Sequence, residues 1–307
     1  MQESGETSAL IFDVKHYAIN DGPGIRVTIF LKGCPLSCTW CHNPESMSPL
    51  VQRMYSSTKC IGCSTCVEAC PQDALTLTAA GIVTDPDLCE LCGTCATVCP
   101  TQATEMSGEL ATVDSLMERI EKETIFFDQS GGGVTVSGGE PLMQPEFLTA
   151  LFDACGEKRI HRTLDTSGFA KKEILLQVAE RTDHFLYDLK VMDSARHKQH
   201  IGVGNEVILD NLVALARTGA SINIRIPLIA GVNDDDDNIE QSASFVASLA
   251  GEKKQVNLLL YHGIAIKKHQ KLGQEYDPGD LAEPDQATVD RASAVFESHG
   301  LPVVVGG

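Results

Sequence analysis

Eleven of the twelve cysteines in this 307-residue chain fall between residues 34 and 99. They form three groups, which are a C-x3-C-x2-C loop from 34 to 41 and two longer runs from 60 to 71 and from 89 to 100. The start of the chain, MQESGETSAL, has neither the basic nor the apolar region of an export signal, so we expect a cytoplasmic protein. Thiols stay reduced in that compartment, and the clustered spacing therefore predicts metal ligands rather than disulfides.

The two longer runs, CIGCSTCVEACP and CELCGTCATVCP, both spell C-x2-C-x2-C-x3-C-P and form an internal duplication. Such runs resemble the bacterial two-cluster ferredoxin, in which the fourth cysteine of each run binds the other cluster. A zinc ribbon is the alternative, because C-x2-C pairs also bind zinc, but eight thiolates with two C-P endings favour clusters. The resemblance implies two 4Fe-4S clusters, one held by Cys60, Cys63, Cys66 and Cys99 and the other by Cys89, Cys92, Cys95 and Cys70.

The rest of the chain alternates strand patterns with helical patterns. The strand patterns are RVTIFL, GVTVS, HRTLDT, HFLYDL, SINIRIP, QVNLLLY and PVVV, and amphipathic stretches such as QPEFLTALFDACGEKR lie between most of them. This alternation predicts an α/β fold with a mostly parallel sheet, and six or seven strands indicate a partial, open barrel rather than a closed one. We expect a core made of residues 1–55 and 105–307, with a ferredoxin-like insert at 56–104.

Polar residues follow the apolar run of one predicted strand after another. They are Ser137-Gly138-Gly139-Glu140-Pro141, Asp165-Thr166-Ser167-Gly168, Asp188-Leu189-Lys190, Arg225 and Tyr261-His262. A single Asp or Lys at a strand end is more often a helix cap or a surface residue. Because ligands of parallel α/β folds bind at the carboxyl ends of strands, the set predicts one shared site, which the loop of Cys34, Cys38 and Cys41 after the first strand would also reach.

Three cysteines leave one iron of a 4Fe-4S cluster without a protein ligand, as in a catalytic rather than a structural metal site. The C-x3-C-x2-C loop, with Trp40 before its last cysteine, resembles the radical S-adenosylmethionine superfamily, in which the methionyl amino and carboxylate groups chelate that iron. The segment from Ser137 to Pro141 resembles its second motif. The resemblance implies that Gly138 and Gly139 let the backbone approach the methionyl end and that Glu140 accepts a hydrogen bond from the amino group.

A narrower resemblance rests on DGPGIRVTIFLKGCPLSCTWCHNPES, VTVSGGEPLMQPEF, TLDTSGF, YDLK and YHGIAIKKHQKLG, which together are similar to the activating enzymes of glycyl radical enzymes. It implies a partial (β/α)6 barrel with the ferredoxin-like insert. It also implies cofactor-binding roles, in which Lys190 meets the cofactor carboxylate, Asp165, Thr166 and Asp188 hold a monovalent cation, and Arg225 and His262 contact the cofactor, the latter on the nucleoside side. Asp21 and Arg26 would lie near the incoming glycine loop, with a plain turn and strand start as the alternative.

The implied reaction is that of an oxidoreductase. An electron from a ferredoxin or flavodoxin reduces the cluster at Cys34, Cys38 and Cys41, S-adenosylmethionine is cleaved with Lys190 at its carboxylate, and hydrogen leaves a glycine of a protein partner. Overall similarity favours isethionate sulfite-lyase as that partner. Choline trimethylamine-lyase and hydroxyproline or glycerol-type dehydratases are the alternatives. The two insert clusters are interpreted as an electron relay, with structural staples as the alternative.

Two other functional classes remain open. One is a radical enzyme acting on a small molecule or a peptide, which would favour an insert cluster lacking one cysteine, whereas both runs are complete. The other is a plain electron carrier, against which the polar residues at the strand ends argue.

Charge and hydropathy exclude several further roles. The formal charge of −18 works against binding a phosphate backbone, and no apolar run approaches the length of a membrane helix, so we expect no nucleic-acid or membrane partner. We also expect a monomer in solution. The run GVNDDDDNIE predicts a helix start rather than a cation site, because aspartates cap free N–H groups. Cys155 lies on an apolar helical face and predicts a core residue rather than a reactive thiol.

Overall fold

The computed structural model describes residues 7–252, 254–263, 265–277, 279 and 281–306. The strands of these residues are β1 (Ser8–Ala18), β2 (Arg26–Leu31), β3 (Gln52–Tyr55), β4 (Leu75–Thr78), β5 (Gly81–Thr84), β6 (Thr104–Ser107), β7 (Glu109–Thr112), β8 (Gly133–Gly138), β9 (His161–Thr166), β10 (His184–Asp188), β11 (Ile222–Leu228), β12 (Gln255–Leu260) and β13 (Val303–Val305). The helices are α1 (Thr65–Glu68), α2 (Thr94–Thr97), α3 (Val113–Ile120), α4 (Thr124–Ser130), α5 (Pro145–Glu157), α6 (Lys172–Ala179), α7 (Ser194–Ile201), α8 (Glu206–Arg217), α9 (Asp236–Ser248), α10 (Ala265–Lys271) and α11 (Gln286–Ser298).

One large open sheet organises the chain, in the strand order β13-β12-β11-β10-β9-β8-β2-β1-β7. The seven strands from β2 to β13 in this order are parallel, and they are the seven that the strand patterns predict. The α/β fold class is therefore confirmed. The sequence patterns do not predict β1 and β7, which add an antiparallel edge beyond β2.

Helices cover the outer face of this sheet and bury its apolar side chains. Within α5, Leu148, Leu151, Phe152 and Cys155 are fully buried, so the prediction of Cys155 as a core residue is confirmed. Asp235 caps α9, because its carboxylate accepts a hydrogen bond from the backbone N–H of the third helical residue. The acidic run therefore opens a helix, as predicted. No helix of the described segments is long and apolar enough to cross a membrane.

The cysteine-rich segment leaves and rejoins the barrel through the antiparallel pair β3 and β6. In this ladder Gln52 pairs with Ser107 at the barrel end, and Tyr55 pairs with Thr104 at the far end. The segment beyond contains the β4–β5 hairpin and the short helices α1 and α2, packed on a small core that includes Cys66, Leu75 and Ile82.

Lys32, just after β2, holds the base of the ladder. Its buried ammonium donates to Gln52 Oε1 at 3.0 Å, to Ser107 Oγ at 3.2 Å and to the carbonyl oxygen of Glu45. One side chain thus joins both strands of the ladder to the loop that carries the first three cysteines.

Candidate active site

The loop of Cys34, Cys38 and Cys41 follows β2 and is fixed from two sides by backbone hydrogen bonds. The N–H of Cys34 donates to the carbonyl of Met47 at 3.1 Å. On the other side, the N–H groups of Ser37 and Thr39 donate to carbonyls at the end of α7, each at 2.9 Å. The three cysteines are therefore presented at the carboxyl ends of the parallel strands.

A segment after β12 also contacts this loop. Lys268 of α10 donates to Asn43 Oδ1 at 2.7 Å and to Glu45 Oε1 at 2.6 Å. Tyr276 donates from its hydroxyl to the carbonyl of Thr39 at 2.7 Å. These contacts lie on both sides of Cys41, so the segment stabilises the loop in one position.

A cavity of about 230 Å³ lies between this loop and the strand ends. Its wall combines the cysteine thiols with apolar side chains, including Leu36 and Ile229, and with charged side chains from β9, β10 and β11 or the residues just after them. The convergence that the sequence predicts is therefore present in the structure. The candidate residues that line the cavity are Cys34, Cys38, Trp40, Cys41, Gly138, Gly139, Asp165, Thr166, Asp188, Lys190 and Arg225.

Two ion pairs balance the charge of the cavity wall. Lys190 Nζ lies 2.6 Å from Asp188 Oδ2, and Arg225 Nη1 lies 3.2 Å from Asp165 Oδ2, which also accepts from Ser137 Oγ at 2.7 Å. Burial alone would lower the pKa of Lys190, but the Asp188 carboxylate raises it above its ordinary value, so the ammonium stays charged. Burial raises the pKa of Asp165, and Arg225 opposes that shift.

Glu140 does not line the cavity, although the resemblance implies a contact with a ligand amino group. The side chain is 1% exposed. Its Oε1 accepts from Thr166 Oγ1 at 2.6 Å and from the N–H of Leu142, while Oε2 accepts from the N–H and hydroxyl of Ser167. Four donors use the hydrogen-bonding capacity of the carboxylate, so Glu140 positions the end of β9 instead.

His262 also lies outside the cavity, where its side chain is 61% exposed and 3.6 Å from Glu283. The preceding residue, Tyr261, lines the cavity in its place and is buried. The sequence offered both residues at the end of β12, and the resemblance pointed to the histidine. Leu259, inside β12, also lines the cavity, and Tyr261 two residues later continues that face just beyond the strand, whereas His262 does not.

Gly138 and Gly139 are required by packing as well as by the cavity. A Cβ on Gly139 would lie 2.1 Å from the carbonyl oxygen of Gly33, and one on Gly138 would lie 2.3 Å from backbone atoms of Leu31. Gly138 also has a φ of +117°, which favours glycine. These close contacts bring β8 against the residue that precedes Cys34.

Asp21 and Arg26 lie at the amino ends of the strands, away from the cysteine loop. Arg26 is fully buried and donates to Thr135 Oγ1 at 2.6 Å and to backbone carbonyls. Asp21 accepts from Thr28 at 2.8 Å and, with Asp165 and Asp188, is among the carboxylates that raise the pKa of Arg225 against the effect of burial. Both residues therefore help to order the barrel interior.

Two smaller cavities lie in the cysteine-rich segment. The first insert cavity is lined by Cys60, Cys63, Cys66 and Cys99, and the second insert cavity by Cys70, Cys89, Cys92 and Cys95. These are the two sets of four that the ferredoxin resemblance implies. Across the described part of the chain, no three His, Cys, Asp or Glu side chains are placed to hold one metal ion. The cysteines of a 4Fe-4S cluster bind different irons, so such a cluster needs a wider arrangement of thiols.

The residues around the main cavity fit an iron–sulfur cluster with a small polar ligand. Burial raises the pKa of Cys34 and Cys41 to about 12, so these thiols are protonated at neutral pH, and a bound metal would favour the thiolate form. Two buried polar atoms of the wall, Tyr261 Oη and Arg225 Nε, have no hydrogen-bond partner among the residues that the structure describes. The cavity therefore offers three soft ligands beside unsatisfied polar groups.

Comparison with known proteins identifies this constellation. A family model of the radical SAM superfamily matches residues 28–243. The chain belongs to the radical SAM superfamily. Radical SAM proteins use a 4Fe-4S cluster and S-adenosylmethionine, and the three-cysteine loop lies within the matched residues.

Curated relatives narrow the assignment. The chain is 40% identical over 299 residues to the trans-4-hydroxy-L-proline dehydratase activating enzyme of Clostridioides difficile, which covers 97% of this chain and 99% of that protein. It is 40% identical over 305 residues to the choline trimethylamine-lyase activating enzyme of Oleidesulfovibrio alaskensis, with 98% of both chains covered. The isethionate sulfite-lyase activating enzyme of Nitratidesulfovibrio vulgaris is 36% identical over 297 residues, 94% of this chain and 95% of that protein. This radical SAM protein is therefore an activating enzyme of a glycyl radical enzyme.

Proposed function

We propose that the main cavity binds a 4Fe-4S cluster through Cys34, Cys38 and Cys41 and holds S-adenosylmethionine against a glycine of the partner. The carrying observation is that three thiols and two partly buried ion pairs share one cavity at the carboxyl ends of the strands. When bound, the reduced cluster and S-adenosylmethionine would supply the radical chemistry that removes hydrogen from the glycine Cα, with methionine and 5′-deoxyadenosine as the products of the cofactor.

The residues of this chain bind, orient and exclude water. We assign Lys190 to the cofactor carboxylate, because its charged ammonium is the cationic donor on the cysteine side of the cavity. Trp40 and the apolar wall keep solvent from the reacting atoms. Tyr261 takes the nucleoside-side role that the sequence resemblance gave to His262. Asp165, Thr166 and Asp188 are the candidate ligands of a monovalent cation, which would lie between the two ion pairs.

We further propose three 4Fe-4S clusters in the chain, one in the barrel and one in each insert cavity. The grouping of eight cysteines into two sets of four supports this proposal. The proposed domain limits are 1–55, 56–104 and 105–307, and the ladder supports them because its outermost pair, Tyr55 and Thr104, lies next to both junctions. A ferredoxin or flavodoxin supplies the electron, and the activase works as a monomer.

The identity of the partner is a proposal at a finer level. Isethionate sulfite-lyase was favoured from the sequence, yet relatives named for hydroxyproline dehydratase and choline trimethylamine-lyase are 40% identical, against 36% for the isethionate relative. All three therefore remain candidates.

The experiment is cofactor cleavage by the anaerobically reconstituted, dithionite-reduced protein, with each of the three partners and without any. We expect methionine and 5′-deoxyadenosine to accumulate, together with a glycyl radical on one partner seen by electron paramagnetic resonance (EPR). A glycyl radical on none of them, with a small molecule consumed instead, would contradict the activase assignment. If S-adenosylmethionine is not cleaved at all, the plain electron carrier is the functional class that remains.

A further inference from the structure

The ladder of β3 and β6 measures how far each insert cavity lies from the barrel. Tyr55 and Thr104, the pair at the far end, line the first insert cavity. Arg53 and Met106, a pair two residues nearer the barrel, line the second insert cavity. Since a strand rises by about 3.3 Å per residue, the second cavity contacts the ladder about 7 Å closer to the barrel.

A continuous set of wall residues leads from the second insert cavity to the main cavity. Met106 also lines a cleft of about 550 Å³ between the insert and the barrel. The same cleft is lined by Asn43, which in turn lines the main cavity two positions after Cys41. No residue of the first insert cavity lines this cleft in the described part of the chain.

Two lysines hold the base of the ladder and the cysteine loop in fixed positions relative to each other. Lys32 binds Gln52 and Ser107 at the end of the ladder and the carbonyl of Glu45 in the cysteine loop. Lys268 binds Asn43 and Glu45 from α10. Exposure does not distinguish the two insert cavities, because Cys63 of the first and Cys92 of the second are both exposed. The ladder does.

We propose that electrons pass through the chain in one order, from the first insert cavity to the second and then past Met106 and Asn43 to the barrel cluster. This proposal rests on the proposed function. One low-potential carrier protein loses one electron, each insert cluster accepts it and passes it on, and the barrel cluster gains it; no proton or bond is involved. Met106 is a positioning residue of this route, because electron transfer through protein slows steeply with distance.

The order is tested by magnetic coupling between clusters, which does not depend on activity. One variant, Cys60→Ala with Cys63→Ala, lacks the first insert cluster, and the other, Cys89→Ala with Cys92→Ala, lacks the second. Each is reduced with dithionite, and the relaxation enhancement of the barrel cluster is measured by pulsed EPR. We expect stronger coupling in the variant that keeps the second cluster. Equal coupling, or the reverse, would overturn the order.

The route is tested by Met106→Ala, with Met54→Ala as the matched control. Met54 lines the same cleft but not the second insert cavity. After mixing with a reduced two-cluster ferredoxin, freeze-quench EPR follows reduction of the barrel cluster. We expect a larger loss of rate for Met106→Ala than for Met54→Ala, and equal losses would exclude the Met106 route. If Met106→Ala loses a cluster, Met106→Leu replaces it under the same criterion.

The two levels of inference fail separately. Dithionite-driven cleavage of S-adenosylmethionine by the parent protein tests the proposed function separately, because dithionite can reduce the barrel cluster without electron transfer through the insert. Absence of that cleavage would contradict the proposed function, whereas the coupling measurement would still decide the order of the clusters.

Discussion

Single buried polar residues decide the shape of the cavity. Glu140 was expected to contact a ligand, yet its carboxylate accepts four hydrogen bonds from the protein and fixes Thr166 and Ser167. An unpaired buried carboxylate would be costly, so these donors are part of the stability of the site. At this scale, a residue of a recognised motif supports the cavity from behind rather than lining it.

Lys190→Ala is expected to weaken S-adenosylmethionine binding. The substitution removes a charge-assisted contact, a class worth roughly 1.5 to 3 kcal/mol, and leaves Asp188 without its partner at 2.6 Å. Titration of the cofactor into the reduced protein measures the loss, with the exposed Lys198→Ala as the control. Affinity equal to that of the parent would mean that Lys190 serves only to pair Asp188.

Gly139→Ala is expected to lower iron incorporation at the barrel while sparing the insert. The new Cβ would lie 2.1 Å from the carbonyl of Gly33, so the backbone before Cys34 must move. Iron analysis and EPR of the reconstituted protein report the loss. Gly263→Ala is the matched control, because its nearest neighbour would be a side-chain atom 3.7 Å away. A full barrel-cluster signal in Gly139→Ala would contradict the packing argument.

His184 makes stability depend on pH. Burial lowers the pKa of this histidine to about 4, with positive neighbours adding to the effect. As pH falls from about 6.5 to about 4, the unfolded chain takes up a proton that the folded protein does not, so stability is lost over that window, by up to about 3 kcal/mol. Denaturant unfolding at several pH values measures this slope, which His184→Gln should reduce and exposed His262→Gln should not. Equal slopes in the parent and in His184→Gln would rule out a contribution of His184 to the pH dependence of stability.

At the scale of elements, the attachment of the insert depends on a short ladder and one lysine. The four pairs of β3 and β6 connect it to the barrel, and Lys32 binds both strands at their base. Gly108, which follows β6, packs closely there, since a Cβ would lie 3.0 Å from Val51 and 3.3 Å from Lys32. The relation between insert and barrel is therefore set by a few buried contacts.

Lys32→Met is expected to loosen this attachment. Three acceptors lose their donor in a buried place, at a cost of about 1 to 3 kcal/mol for each group left unsatisfied. Hydrogen exchange should become faster at 52–55 and 104–107 and stay unchanged in the parallel strands. Exposed Lys15→Met, in the cleft between the insert and the barrel, is the control. Unchanged protection of the ladder would show that strand pairing alone holds the insert.

At the scale of the whole molecule, the three cavities predict the iron content. We expect about twelve irons per chain, from three clusters of four, after anaerobic reconstitution. Cys34→Ala should remove about four of them and abolish cofactor cleavage while the insert signals remain. Metal analysis with EPR checks both. Stoichiometric zinc, or about four irons in the parent, would contradict the two insert clusters.

Much of this architecture follows from local pattern in the sequence. The seven parallel strands, the α5 face with Cys155 and the helix start at the acidic run were all predicted, because apolar periodicity and capping act over a few neighbouring residues. Cysteine spacing likewise predicted the main site. Eleven of the residues predicted for the site line the main cavity, whereas Glu140, His262, Asp21 and Arg26 do not. The strand-end residues come together because the carboxyl ends of parallel strands converge whatever the details of packing.

Tertiary structure alone decided the rest. β1 and β7 pair with each other across 90 intervening residues, which no local pattern reports. Glu140 faces away from the cavity because distant residues supply the donors to its carboxylate, and Tyr261 rather than His262 faces the cavity because of the path that the chain takes after β12. The sequence carries only the residue types. The distance from each insert cavity to the barrel is likewise a property of the ladder. Spacing along the chain determined the chemistry of this protein, and packing between distant segments determined its geometry.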